Sequence, residues 1–167
     1  KRVSAAIFVN STLYLNDALE SYIKNGARLL GKPESEFRKA GGSIGEALNG
    51  VAYQLNQQDV MYKMMYPKKE MFDQMSAVMD TTLNWDFGSK VWDFPEYAQD
   101  FTVKSASLKM PVLVISGNND LSVGPEHYRL FKFRNATYRP MATGHCPYQE
   151  QTALFHGHVK AFLAKVK

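Results

Sequence analysis

The apolar run at residues 111–116 (PVLVIS) ends in Gly117-Asn118-Asn119-Asp120, and a second short run at residues 137–141 is followed by Gly144-His145. Runs bounded in this way read as strands. The pair then places an acid and an imidazole, about 25 residues apart, at the carboxyl ends of two strands, which is where open parallel sheets keep their chemistry. Asp120 and His145 are therefore candidates for two members of a nucleophile, histidine and acid triad.

The rest of the chain has to supply a scaffold for that pair. Residues 3–9 (VSAAIFV) are short, apolar and partly β-branched, and Asn10-Ser11-Thr12 bounds them, so they read as a buried strand. A parallel strand buried on both faces needs a neighbour on each side, and this one begins almost at residue 1.

From residue 11 to about residue 109 the pattern turns helical. Leu13, Leu15, Ala18, Leu19, Tyr22 and Ile23 mark a helix that runs to Leu30 and stops at Gly31-Lys32-Pro33. Pro33 is expected to start a short helix through Ala40, which Gly41-Gly42 ends. Ser43 opens the next helix, through about Asn56, and Asp59 is expected to cap another through Tyr66, before Pro67 breaks it. Residues 68–83 carry Met71, Met75 and Met79 on a single helical face. That stripe is expected to pack in a core; its functional alternative is the adaptable apolar wall of a pocket. Trp85, Phe87, Trp92 and Phe94 follow as packing anchors in a loop-like region, and Pro95 begins a short helix through Phe101.

After the strand at residues 110–116, Pro125 is expected to start a helix through about Phe133. The strand at residues 137–141 follows, and a last helix over residues 148–166 places Leu154, Val159, Phe162 and Leu163 on one stripe. The order is strand, long helical block, strand, helix, strand, helix, with no internal repeat.

Composition narrows the function classes. At 167 residues, with 45% apolar and 13% aromatic residues, the chain is an ordinary globular protein with a core of its own. Its net charge of +4 comes from Lys and Arg spread along the chain. Nucleic-acid binding would call for a basic stripe with interleaved aromatics, and is not expected. The single cysteine, Cys146, excludes an internal disulfide and is compatible with a reducing compartment. No apolar run approaches the ~18 residues of a membrane span, and no signal peptide opens the chain. The expected compartment is the cytoplasm, with secretion left open because the true N-terminus is expected to lie upstream of Lys1.

Only one stretch fits Gly-x-Ser-x-Gly, the pattern around a nucleophilic serine: Gly41-Gly42-Ser43-Ile44-Gly45. It is set aside, because that turn needs a buried strand before it, whereas residues 33–40 (PESEFRKA) are charged and read as helix. Ser43 with Glu46 three residues later is instead a capping box. Cys146 adjoins His145, but neighbours on an extended strand end point in different directions, so the thiol is expected to be buried or half-buried. His156 and His158 would lie roughly 200° apart on a helix and could not share a metal. No metal or cofactor is expected. Glu150 is a candidate brace for the turn at His145, and His127 is expected on the outer face of its helix.

The motifs at residues 1–10 (KRVSAAIFVN) and 108–120 (LKMPVLVISGNND), then Gly144-His145 with Glu150, and finally Phe162-Leu163, resemble the C-terminal part of an α/β-hydrolase. The likeness is to lidded members related to proline iminopeptidases and to carboxylester or carbon-carbon bond hydrolases. It implies an α/β fold with three parallel strands and flanking helices, residues 1–10 and 108–167 forming the hydrolase core and residues 11–107 an inserted all-helical lid. It also implies that Asp120 is the triad acid and His145 the base, with nucleophile, oxyanion hole and earlier strands supplied from outside residues 1–167.

The expectation is thus a contribution of acid and histidine to a serine-type hydrolase that cleaves an ester or N-terminal peptide bond, acting on a small molecule or short peptide. The chain alone would be inactive. Its partner would be the missing N-terminal half, or a second copy pairing the edge strand. The competing expectation is a non-catalytic binding module with an apolar groove in the helical block.

Overall fold

The computed structural model describes residues 3–78, 90 and 94–166. Three parallel strands form a sheet in the order β1-β2-β3: β1 is Ala6–Val9, β2 Val112–Gly117 and β3 Ala136–Met141. Ala6 stands opposite Val112 in the first pair, and Val112 opposite Ala136 in the second. All six residues of β2 are buried. A central parallel strand covered on both faces must be apolar on both, which is why this segment reads as an unbroken run.

The two faces are filled by different partners. Val112 and Val114 pack with Phe131 and Phe133, and with Phe8 and Tyr138 at the margin. Leu113, Ile115 and Met141 pack against Phe162 of the last helix, flanked by Phe155 and Val159. The outer edge of β1 pairs with no strand among the described residues, and Ile7 on it is 38% exposed.

Between β1 and β2 every element among the described residues is an α-helix or a 3-10 turn. Helix α1 (Leu15–Leu29) packs on α2 (Ile44–Gln57) around Ile23, Ala27, Val51 and Leu55. The capping box expected at Ser43 is present: its hydroxyl accepts the Glu46 N–H at 3.2 Å and Glu46 accepts the Ser43 N–H at 2.8 Å. Helix α3 is Lys69–Ala77, with Met71 and Met75 half-buried; Met79, Leu83, Trp85, Phe87 and Trp92 lie outside the described residues. No helix among the described residues is long and apolar enough to cross a membrane.

Several expected helices are shorter than the sequence suggested. The segment after Pro33 is one 3-10 turn, Glu34–Glu36, because Phe37 is its only buried residue and a helix with one anchor does not offset its nucleation cost. Asp59 is not a cap. It has φ +53° and ends α2, the Val60 N–H returning to the Leu55 carbonyl. A 3-10 turn, Met61–Met64, follows. Pro95 begins only the turn Pro95–Ala98.

The helix expected after Pro125 is the turn His127–Leu130. Phe131 and Phe133 are buried while Lys132 and Arg134 are exposed, a period of two that marks extended chain leading into β3. The last helix is divided into α4 (Pro147–Glu150) and α5 (Thr152–Leu163). Gln151, at φ −136° and ψ 58°, breaks it where its own amide reaches back to the Ala142 carbonyl at 3.0 Å.

His127 is the clearest correction. It is 5% exposed rather than on an outer face, with Nδ1 2.6 Å from the Gly124 carbonyl and its ring against Phe131. Desolvation holds its pKa below the ordinary 6.5, against the opposing pull of Gly124 and the Asp120 charge. A base with a lowered native pKa binds fewer protons folded than unfolded, so stability is lost as pH falls through the unfolded value. The urea midpoint of the wild type is expected to drop between pH 7 and pH 5, and His127→Phe should show a shallower drop, measured by circular dichroism at both pH values.

Candidate active site

Asp120 and His145 meet. The Asp120 side chain is wholly buried, and its Oδ2 lies 2.9 Å from Nδ1 of His145, whose side chain is 27% exposed. Oδ1 accepts the backbone N–H groups of Ser122 at 2.9 Å and Val123 at 3.3 Å. A carboxylate held by two amides cannot turn away from the ring, and because it only accepts, Nδ1 must carry the proton. Nε2 is left as the basic atom of the neutral imidazole, the arrangement that a proton-accepting histidine needs.

The strand ends explain how the two residues converge. Asp120 follows β2 directly. His145 follows β3, and its loop crosses the end of β2 to reach β1. Gly117 makes that crossing possible: a Cβ there would stand 2.0 Å from the Gly144 carbonyl oxygen and 2.5 Å from that of Thr143. The loop then lands on Asn10 at the end of β1. Asn10 accepts the Gly117 N–H at 2.7 Å and donates to the carbonyls of Gly144 at 2.8 Å and His145 at 2.7 Å.

The helical block holds the same loops from above. The Met65 carbonyl accepts the His145 N–H at 2.7 Å, and the Met64 carbonyl accepts the Leu121 N–H at 3.2 Å. Two consecutive carbonyls thus hold the histidine loop and the acid loop in one relative position. Gly144 is in close contact with this segment, since a Cβ on it would meet the Met65 oxygen at 2.1 Å. Both oxygens of Glu150 accept the Gly144 N–H, at 2.8 and 3.0 Å, so Glu150 braces the turn as expected. Burial pushes its carboxyl pKa up, opposed by the amides of Gly144 and Cys146.

The remaining candidates are elsewhere. Ser43 is exposed in its capping box. Cys146 is buried and accepts from the Tyr148 hydroxyl at 3.6 Å; that bond, with burial, pushes the Tyr148 phenol up to about 12. Among the described residues, no group of His, Cys, Asp and Glu gathers that could hold a metal.

No family model and no curated protein matches the sequence. Solved structures do. The proline iminopeptidase-related protein of Thermus thermophilus superposes with a TM-score of 0.69 at 13% identity, over 98% of this chain and 56% of that one. An α/β fold family hydrolase of Bacillus anthracis str. Sterne gives 0.60 at 12% identity, over 95% and 58%. A thermophilic esterase of Thermogutta terrifontis gives 0.55 at 16% identity, over 99% and 57%. The chain has part of the α/β-hydrolase fold. It spans between 56% and 58% of the length of these structures.

Within this α/β-hydrolase portion, sequence reading named Asp120, His145 and Glu150, whose loops the structure brings together, and missed Asn10 and the carbonyls of Met64 and Met65. Backbone acceptors leave no mark on a sequence. The sequence shows Asn10 only as the residue that ends an apolar strand; in the structure it has φ +39°, a conformation that Asn tolerates better than most residues. Gly117→Ala is expected to cost about 3 kcal/mol by forcing the crossing loop off β2. Gly157→Ala, in α5 with nothing near its added methyl, should gain up to about 1 kcal/mol. Urea denaturation of the two variants checks the contrast.

Proposed function

We propose that this chain supplies the acid and the base of a serine-type α/β-hydrolase that cleaves an ester or an N-terminal peptide bond through an acyl-enzyme. The observation that carries the reading is the 2.9 Å contact between buried Asp120 and part-exposed His145 at the carboxyl ends of adjacent strands. Two of the structural neighbours, a proline iminopeptidase-related protein and an esterase, are compatible with that choice of bonds.

In this mechanism Nε2 of His145 removes the proton of a serine hydroxyl as the oxygen attacks the substrate carbonyl. Asp120 keeps Nδ1 protonated and stabilises the imidazolium that forms. The imidazolium then gives its proton to the leaving alcohol or amine, and the cycle repeats with water in place of the serine. Serine and oxyanion donors come from outside residues 1–167, carried by strands that continue the sheet at the open edge of β1. Residues 11–107 act as the lid over a small-molecule or short-peptide substrate.

The test joins the 167-residue chain to the reading frame upstream of Lys1 and follows p-nitrophenyl ester hydrolysis with fluorophosphonate labelling. The joined protein should turn over, with the label on a serine outside residues 1–167, and the 167-residue chain alone should not. His145→Ala should lower kcat roughly 10³-fold or more, and Asp120→Asn by about 10⁴-fold. Label on Ser43, or turnover indifferent to both substitutions, would sink the reading; ligand binding without turnover, unaffected by either substitution, would favour a binding module.

A further inference from the structure

We infer that Asn10 is the positioning residue that sets where His145 stands relative to β1, and through β1 relative to whatever strand pairs with its open edge. The inference rests on His145 as the general base, but its test does not require activity.

The topology creates the need. His145 is delivered by β3, while the open edge belongs to β1, and β2 lies between them. No backbone ladder therefore ties the histidine loop to β1. The Asn10 side chain is the tie: one end holds the last residue of β2 through the Gly117 N–H, and the other holds the two successive carbonyls of Gly144 and His145. These bonds span 107, 134 and 135 residues of sequence, so a single side chain fixes three chain segments.

The orientation of the amide is determined by its partners. Gly117 N–H can only donate and the two carbonyls can only accept, so a flipped amide would lose all three bonds. Aspartate would keep the acceptor and lose both donors. Leucine would lose everything, and glutamine would carry its amide one carbon too far. Asn10 is 3% exposed and also holds φ +39°. A residue other than glycine persists in that region only where its surroundings over-determine it, and such residues concentrate at functional sites.

An ordinary packing residue and a positioning residue differ in what their loss disturbs. Packing loss lowers stability everywhere. Loss of the Asn10 bonds should free the His145 loop while β2 stays paired, since the β1–β2 and β2–β3 ladders do not use this side chain.

Asn10→Gly is the suited variant, because glycine accepts the positive φ and removes only the side-chain bonds. NMR of the 167-residue chain should show the backbone N–H of His145 and its Nδ1 proton exchanging at least tenfold faster in Asn10→Gly. Val114 and Ile115 amides should keep their protection, and the ¹⁵N chemical shifts of the His145 ring should move. A uniform loss of protection that leaves the His145 ring ¹⁵N shifts unchanged would overturn the proposal and leave Asn10 a packing residue. Should the variant fail to fold, wild type decides: scalar couplings across the hydrogen bonds from Asn10 Nδ2 to the Gly144 and His145 carbonyl carbons support the proposal if present and overturn it if absent. A chain that hydrolyses nothing can still pass this test, so the two readings fail separately.

Discussion

The passage of the histidine loop over the end of β2 is the constraint on which the site depends. Strand order puts β3 at one side of the sheet and β1 at the other, yet the backbone of Gly144 and His145 lies against Asn10 at the end of β1. The loop passes over Gly117, whose missing side chain leaves room for two carbonyl oxygens. Each hydrogen bond along the path contributes about 1 kcal/mol. Together they hold a loop that makes no ladder of its own there.

Asp120 is held in the same manner. A buried carboxylate is costly unless its oxygens are satisfied, and here two backbone amides and the imidazole satisfy them. The acid loop is in turn fastened to the helical block twice, through the Leu121 N–H to the Met64 carbonyl and through the Asn25 side chain to the Leu121 carbonyl. Because Met65 accepts from His145 in the next peptide, a shift of this segment would move acid and base together rather than separate them.

How much of this the sequence disclosed depended on the kind of signal. The runs of β1 and β2 and the capping box at Ser43 were legible because burial and capping act on neighbouring residues. Asp120 and His145 were legible as candidates because each follows a strand. The turns after Pro33 and Pro125 were misread as helices: proline marks where a helix can begin, but only buried side chains sustain one. Phe131 and Phe133 had declared a period of two, and His127 inside that turn is buried. Asn10 was read as the end of a strand, since contacts more than a hundred residues away in sequence have no local signature.

Asp120 and His145 are hydrogen-bonded to each other within part of an α/β-hydrolase fold, with the apolar edge of β1 facing outward. The central claim is that Asp120 fixes His145 as the Nδ1-protonated tautomer, leaving Nε2 free to take a proton. The ¹⁵N chemical shifts of the His145 ring, recorded with the ring neutral, test that most directly. Wild type should show the Nδ1–H tautomer, and Asp120→Ala should lose it. A ring that carries its proton on Nε2, or that is indifferent to Asp120, would contradict it.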